Sequence, residues 1–90
     1  MNIMPKWRFI ITLEAEEDIA RLDTQIRRRI LDKLEWLADN FDHITPLPLS
    51  DQWRGFFKLR IGDWRVIYEV EMNKNNVIIH AIGRRDEIYR

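Results

Sequence analysis

The last 33 residues hold a set of side chains suited to handling phosphate: Lys58, Arg60, Arg65, Arg84, Arg85 and Tyr89, with Arg90 closing the sequence as a further cation. Arginine presents planar, paired donors that clamp a phosphate in a bidentate manner. Lysine can also accept a proton when neutral, a role closed to arginine because its pKa lies above ~12. A tyrosine ring stacks on an unpaired base, and its hydroxyl orients a phosphate. Spread from position 58 to position 90, these groups act together only if the fold gathers them. Alternation along a strand puts Lys58 and Arg60 on one face. The Gly62–Asp63 turn folds Arg65 back beside them. Arg84 and Arg85 leave the end of a neighbouring strand, where Gly83 lets the chain bend and leaves the parity of the two arginines open.

Other chemistries find little support. No Ser/His/Asp order, phosphate-cradling glycine loop or His/Cys metal spacing occurs. His80 sits inside an apolar strand and reads as a packed, hydrogen-bonded histidine, His43 lies in a loop without ligand-like neighbours, and Glu16 and Glu17 belong to a solvated helix face. The expectation is a chain without metal or cofactor. Within the basic set, Arg84 and Arg90 read as solvated or phosphate-steering groups. Tyr89 either meets substrate or anchors the tail with its ring.

The elements that must position these residues can be placed from periodicity. Residues 7–13, WRFIITL, read as a strand. Residues 14–22 carry Ala15, Ile19 and Leu22 at helical spacing, with acids in the first turn where the helix dipole favours them. Asp23 or Thr24 can cap a second helix running to Asn40, in which Ile26, Ile30, Leu34 and Leu37 repeat on one side. Residues 41–50, with two prolines, read as a loop. Residues 56–60 and 64–71 alternate as two strands of a hairpin. Residues 73–76 form a turn, and residues 77–82 a nearly all-apolar strand suited to a central sheet position. The fold class expected is α+β, one domain over residues 1–90 in the order β-α-α-β-β-β, its twisted, mainly antiparallel sheet covered on one face by a helical hairpin. The first strand must pair away from its sequence neighbour, with a partner the sequence leaves open.

Ninety residues, 46% hydrophobic and 11% aromatic, suffice for one core and not two. With no cysteine, the fold rests on packing, and a reducing cytoplasm is compatible with that. No secretory leader or run of ~20 apolar residues stands out, so a cytoplasmic location is expected. Net charge is zero, which taken alone argues against a nucleic-acid partner. The halves differ, however: residues 1–50 hold seven Lys/Arg against nine Asp/Glu, and residues 51–90 hold eight against six.

Two segments carry a resemblance. Residues 57–68, FKLRIGDWRVIY, resemble the central hairpin of the RelE/ParE toxins, and residues 82–90, IGRRDEIYR, resemble their C-terminal tail. The helical segment ILDKLEWLADN is in keeping, so the similarity covers nearly the whole chain. The resemblance implies the toxin of a type II toxin–antitoxin pair, a metal-independent endoribonuclease acting on mRNA at the ribosome, with a cognate antitoxin protein as partner. It places Lys58 on the first hairpin lysine, Arg65 on the hairpin arginine, Arg85 on the arginine after the last strand and Tyr89 on the terminal tyrosine, all four catalytic. Arg60 falls where a second lysine can occur and keeps charge without proton transfer. With Arg84 and Arg90 it would bind RNA phosphate. The chemistry agrees: metal-free cleavage needs a proton removed from a ribose 2′-OH, the phosphorane stabilised and the leaving 5′ oxygen protonated or stabilised. Lys58 is the base available, a task requiring its neutral form, which neighbouring cations favour. Two other functions fit the same fold: a ParE-like toxin that inhibits DNA gyrase by protein contact, and a module that only binds its antitoxin.

Overall fold

A computed structural model describes residues 6–89. Thr12 joins the first strand to the first helix. Its hydroxyl donates to the Ile79 carbonyl at 2.8 Å and accepts from the Ala15 N–H at 3.2 Å, so one side chain ties strand to sheet and caps the helix. Both elements are therefore shorter than periodicity suggests: strand β1 is Arg8–Ile11 and helix α1 is Leu13–Ala20. Asp23 caps helix α2, Thr24–Asp39, through the Ile26 N–H at 2.9 Å. The Arg27 side chain donates to the carbonyls of Ile19, Ala20 and Leu22, occupying acceptors at the end of α1 that would otherwise lack partners. It thereby fixes the helical hairpin.

The sheet has five strands where the sequence pattern gave four. Beyond β1 they are β2 Leu47–Pro48, β3 Phe57–Ile61, β4 Trp64–Glu71 and β5 Asn76–Arg84, in the order β1-β5-β4-β3-β2. The added strand lies inside the segment read as a loop. It is two residues long and sits at the sheet edge, where the missing N–H of Pro48 costs no ladder bond. The partner of β1 is β5, in parallel, while the other pairings are antiparallel. Where β1 runs out, Asp18 of α1 accepts the Ile82 N–H at 3.0 Å and closes that stretch of edge.

One sheet face packs under the helices. Ile30, Leu34 and Leu37 of α2 meet Val66, Tyr68, Val77 and Ile79, all buried, with Phe41 edge-on to Tyr68 and Phe57 stacked on it. Burial raises the Tyr68 hydroxyl from 10.0 to about 12, because the phenolate would lose its hydration. No helix is long and apolar enough to cross a membrane.

The pairing of β4 with β5 slips at Ile67/Tyr68: Ile67 opposes Ala81 and Tyr68 opposes Ile79, leaving His80 as an extra residue. This β-bulge resets the alternation of everything after it. Ile82 turns into the core, Gly83 faces away from the helices opposite Arg65, and Arg84 comes to lie on the helix-side face opposite Trp64.

Candidate functional site

The hairpin between β3 and β4 is closed by Gly62, at φ +59, and Asp63, between the paired residues Ile61 and Trp64. A glycine with positive φ at the first central position is what a type II′ turn requires. The next pair, Arg60 and Arg65, lies directly opposed on the face away from the helices, with side-chain origins roughly 4.5–5.5 Å apart. Like charges so placed repel. Arg65 answers by turning back on the hairpin, its Nη1 donating to the carbonyls of Gly62 at 2.7 Å and Trp64 at 2.9 Å. That holds the guanidinium in one pose with donors to spare. Among the described residues the only contacts within 4.0 Å between basic and acidic side chains are Arg21–Asp18 and His80–Glu69, so Lys58, Arg60, Arg65 and Arg85 have no carboxylate at that distance.

The same face is less open than a bare sheet. Ile67, which points to it opposite Lys58, is fully buried. Segment 49–56 crosses above: Phe56 stands edge-on to His80 at 5.1 Å, and Trp53 edge-on to Phe56 at 5.9 Å. His80 bonds Glu69 at 3.0 Å, consistent with the packed histidine expected. From the other side the C-terminal tail curls back. The Arg85 N–H donates to the Asp63 carbonyl at 2.9 Å, and the N–H groups of Glu87 and Ile88 donate to the Arg84 carbonyl at 3.0 and 2.9 Å. Ile88 then packs over Gly83, where a Cβ would sit 3.4 Å from the Ile88 Cβ.

This return carries Tyr89 into the wall of a cavity of about 510 Å³ that it shares with Lys58, Ser50, Asp51, Gln52 and Trp53. The Tyr89 hydroxyl and the Trp53 indole N–H are themselves buried, with no hydrogen-bond partner among the described residues. Each such unmade bond costs about 1–3 kcal/mol.

Of the residues singled out in the sequence, the fold therefore brings Lys58 and Tyr89 to one cavity, pairs Arg60 with Arg65 across the strands, and ties Arg85 by its backbone to the hairpin turn. Arg84 is separated from them: its guanidinium stands 5.6 Å from the Trp64 ring, on the other face. Arg90 lies outside the described residues. Sequence reasoning passed over Asp51, Gln52 and Trp53. Trp53 left a signal, since a tryptophan in a polar loop must find something to cover. It also passed over Arg29 of α2, whose Nη2 would be 2.6 Å from a Cβ at Gly62 and which shares a depression with Lys33, Trp36 and Arg60. Among the described residues no three His, Cys, Asp or Glu side chains are grouped to hold a metal ion.

A family model described as the ParE toxin of the type II toxin–antitoxin system, parDE, matches residues 9–89. The chain is 31% identical over 80 residues to Toxin RelE of Mycobacterium tuberculosis, a match covering 89% of this chain and 82% of that protein. Its fold is similar to a chain of the toxin–antitoxin complex RelBE2 from M. tuberculosis, with TM-score 0.80 at 21% identity over 89% of this chain and 99% of that one. The archaeal RelE–RelB complex from Pyrococcus horikoshii gives TM-score 0.71 at 21% identity, over 91% and 98%. The isolated RelE toxin of E. coli gives 0.70 at 17% identity, over 93% and 90%.

Proposed function

The chain belongs to the RelE/ParE family of toxins of type II toxin–antitoxin systems, and from that premise we propose that it is a metal-independent endoribonuclease that cuts mRNA on the ribosome. The observation that carries this reading is the convergence of Lys58 and Tyr89 on one cavity beside the opposed arginines 60 and 65. Lys58, as the neutral amine, takes the proton of a ribose 2′-OH. The 2′ oxygen attacks the adjacent phosphorus, and the bond from phosphorus to the 5′ oxygen breaks, leaving a 2′,3′-cyclic phosphate and a 5′-OH end that takes its proton from water. Arg65, already fixed on the turn carbonyls, and Arg85 hold the charge that builds on the non-bridging oxygens. Tyr89 positions the nucleotide, and Arg60 contributes charge along the approach. Arg84 acts as an outlying phosphate contact, and Arg90 as a further phosphate-binding cation.

Two of the similar structures are complexes with an antitoxin, which supports an antitoxin partner for this chain as well. Cations without carboxylate partners on one face suit an acidic or amphipathic peptide, and covering them would exclude RNA. Work on ribosomes places the activity in the cytoplasm.

Mapping mRNA 5′ ends by primer extension after brief induction tests the reading. Discrete cuts inside translated codons are expected. Intact mRNA with DNA damage would instead favour gyrase inhibition, the reading to which the ParE description of the family model lends weight. Intact mRNA and intact DNA would leave antitoxin binding alone.

A further inference from the structure

We propose that Arg29 of α2 is a positioning residue for Arg65: its guanidinium fills the space a side chain at Gly62 would take, and so fixes the turn whose carbonyl holds Arg65. The effect on cleavage rests on the nuclease reading, while the effect on Arg65 does not. One ion pair that α2 could make is missing. Asp32 follows Arg29 by three positions, a spacing at which opposite charges on a helix meet, as Asp18 and Arg21 do at 3.3 Å. Yet among the described residues no carboxylate lies within 4.0 Å of Arg29. The guanidinium reaches across to the β3–β4 turn instead. A Cβ at Gly62 would be 2.6 Å from its Nη2, 3.4 Å from its Cζ and 3.5 Å from its Nη1, so the planar group covers the position of the absent side chain. Lys33, one helical turn further on, rests on the Trp36 ring at 3.9 Å and leaves that position to Arg29.

Gly62 needs such a cover. At φ +59 and without a Cβ it has more backbone freedom than any other residue of the hairpin. Rotation of the peptide plane beside it would swing the carbonyl to which the Arg65 Nη1 donates at 2.7 Å, and release the guanidinium from its pose. A plane packed on the helix side of Gly62 obstructs that rotation without placing a side chain on a positive-φ residue. Arg29 thus acts from the face opposite Arg65, through the turn, with no contact to the reacting atoms.

Relaxation of the ¹⁵N-labelled full chain, read beside single-turnover cleavage of ribosome-bound mRNA, provides the test. The Gly62 amide is expected to have an order parameter near about 0.85 in the wild type and under about 0.6 in Arg29→Ala. The Arg65 Nε–H, identified by its loss in Arg65→Lys, should lose order with it. Arg29 is exposed and alanine suits a helix, so the fold is kept. Arg29→Ala should lower the maximal rate about tenfold, with the half-saturating ribosome concentration unchanged, as expected for a misplaced catalytic group. Arg29→Met keeps length and bulk over Gly62 without charge, and should retain the order of both groups and most of the rate. Unchanged order parameters in Arg29→Ala would overturn the positioning, whatever the rate does. So would Arg29→Lys matching the wild type while Arg29→Met matches Arg29→Ala, since the arginine would then be a charge contact to RNA. If the wild type cleaves nothing and the order parameters still move as expected, the nuclease reading falls and the positioning of Arg65 stands.

Discussion

Arg65 and Arg84 have the same side chain at the same end of the β4–β5 pair, yet the fold treats them differently. Arg65 is held by two turn carbonyls on the face with Lys58, whereas Arg84 lies over Trp64 on the other face. A preorganised donor to developing charge is worth about 100-fold or more in rate. Arg65→Ala should therefore lower cleavage by at least ~100-fold, and Arg84→Ala far less. Thermal unfolding measured alongside separates catalysis from the loss of the turn hydrogen bonds, worth about 1 kcal/mol. Equal losses from both changes would mean a diffuse charge field. Lys58 permits a sharper comparison. Lys58→Ala removes charge and proton acceptor, and Lys58→Arg removes only the acceptor, since arginine stays protonated. Both should be similarly inactive in single-turnover cleavage of ribosome-bound mRNA. A near wild-type rate for Lys58→Arg would make the lysine an electrostatic contact and move the base elsewhere.

At the scale of elements, the tail decides whether Tyr89 reaches Lys58, and Gly83 decides where the tail lies. A Cβ at Gly83 would already be 3.4 Å from Ile88, so Gly83→Ala is nearly accommodated, while the two methyl groups in Gly83→Val must displace the tail. The strand itself tolerates valine well. Gly83→Val should cut the rate by at least about tenfold, since a shift of ~1 Å can cost ~100-fold, with thermal stability little changed. Cleavage at the wild-type rate would show that the tail's placement is not required. This device was not legible in the sequence, and the reason is physical. The repeat of Ile30, Leu34 and Leu37 announces α2 because the helix buries one face, and the alternation around Gly62–Asp63 announces the hairpin because Lys58, Arg60 and Arg65 share the face away from the helices. The run Val77 to Ile82 is apolar on both faces, so a one-residue slip at His80 leaves no trace in its pattern. That slip carried Arg84 off the face with Arg65. Likewise β2 and the turn at Asp51 have no periodicity to read, being fixed by pairing with β3 and by the rings of Trp53 and Phe56. Lys58 and Tyr89 could be singled out by type and resemblance, but their common cavity depends on those tertiary contacts.

For the molecule as a whole, zero net charge gives weak long-range steering, so the proposed RNA binding would rest on the few local cations. The scaffold holding them has no disulfide to lean on, and its two layers meet at Tyr68, packed between Phe41 below the helices and Phe57 of the sheet. The hydroxyl of Tyr68 is pushed up to about 12 by burial, and Tyr68 is only 1% exposed. In the unfolded chain the same group ionises near 10. Below pH 10 both states keep the proton, and this residue makes no contribution to pH dependence. Between pH 10 and 12 the unfolded chain loses the proton while the native state keeps it, so stability falls as pH rises, by about 2 kcal/mol over the window. Tyr68→Phe keeps the ring and removes the titration. Urea unfolding of both proteins at pH 9 and near pH 12 should show the wild type losing about 2 kcal/mol more than Tyr68→Phe, since every other group is common to both. Parallel loss in the two proteins would mean that the hydroxyl ionises without opening the core, and that the contact between layers is looser at Tyr68 than its burial indicates.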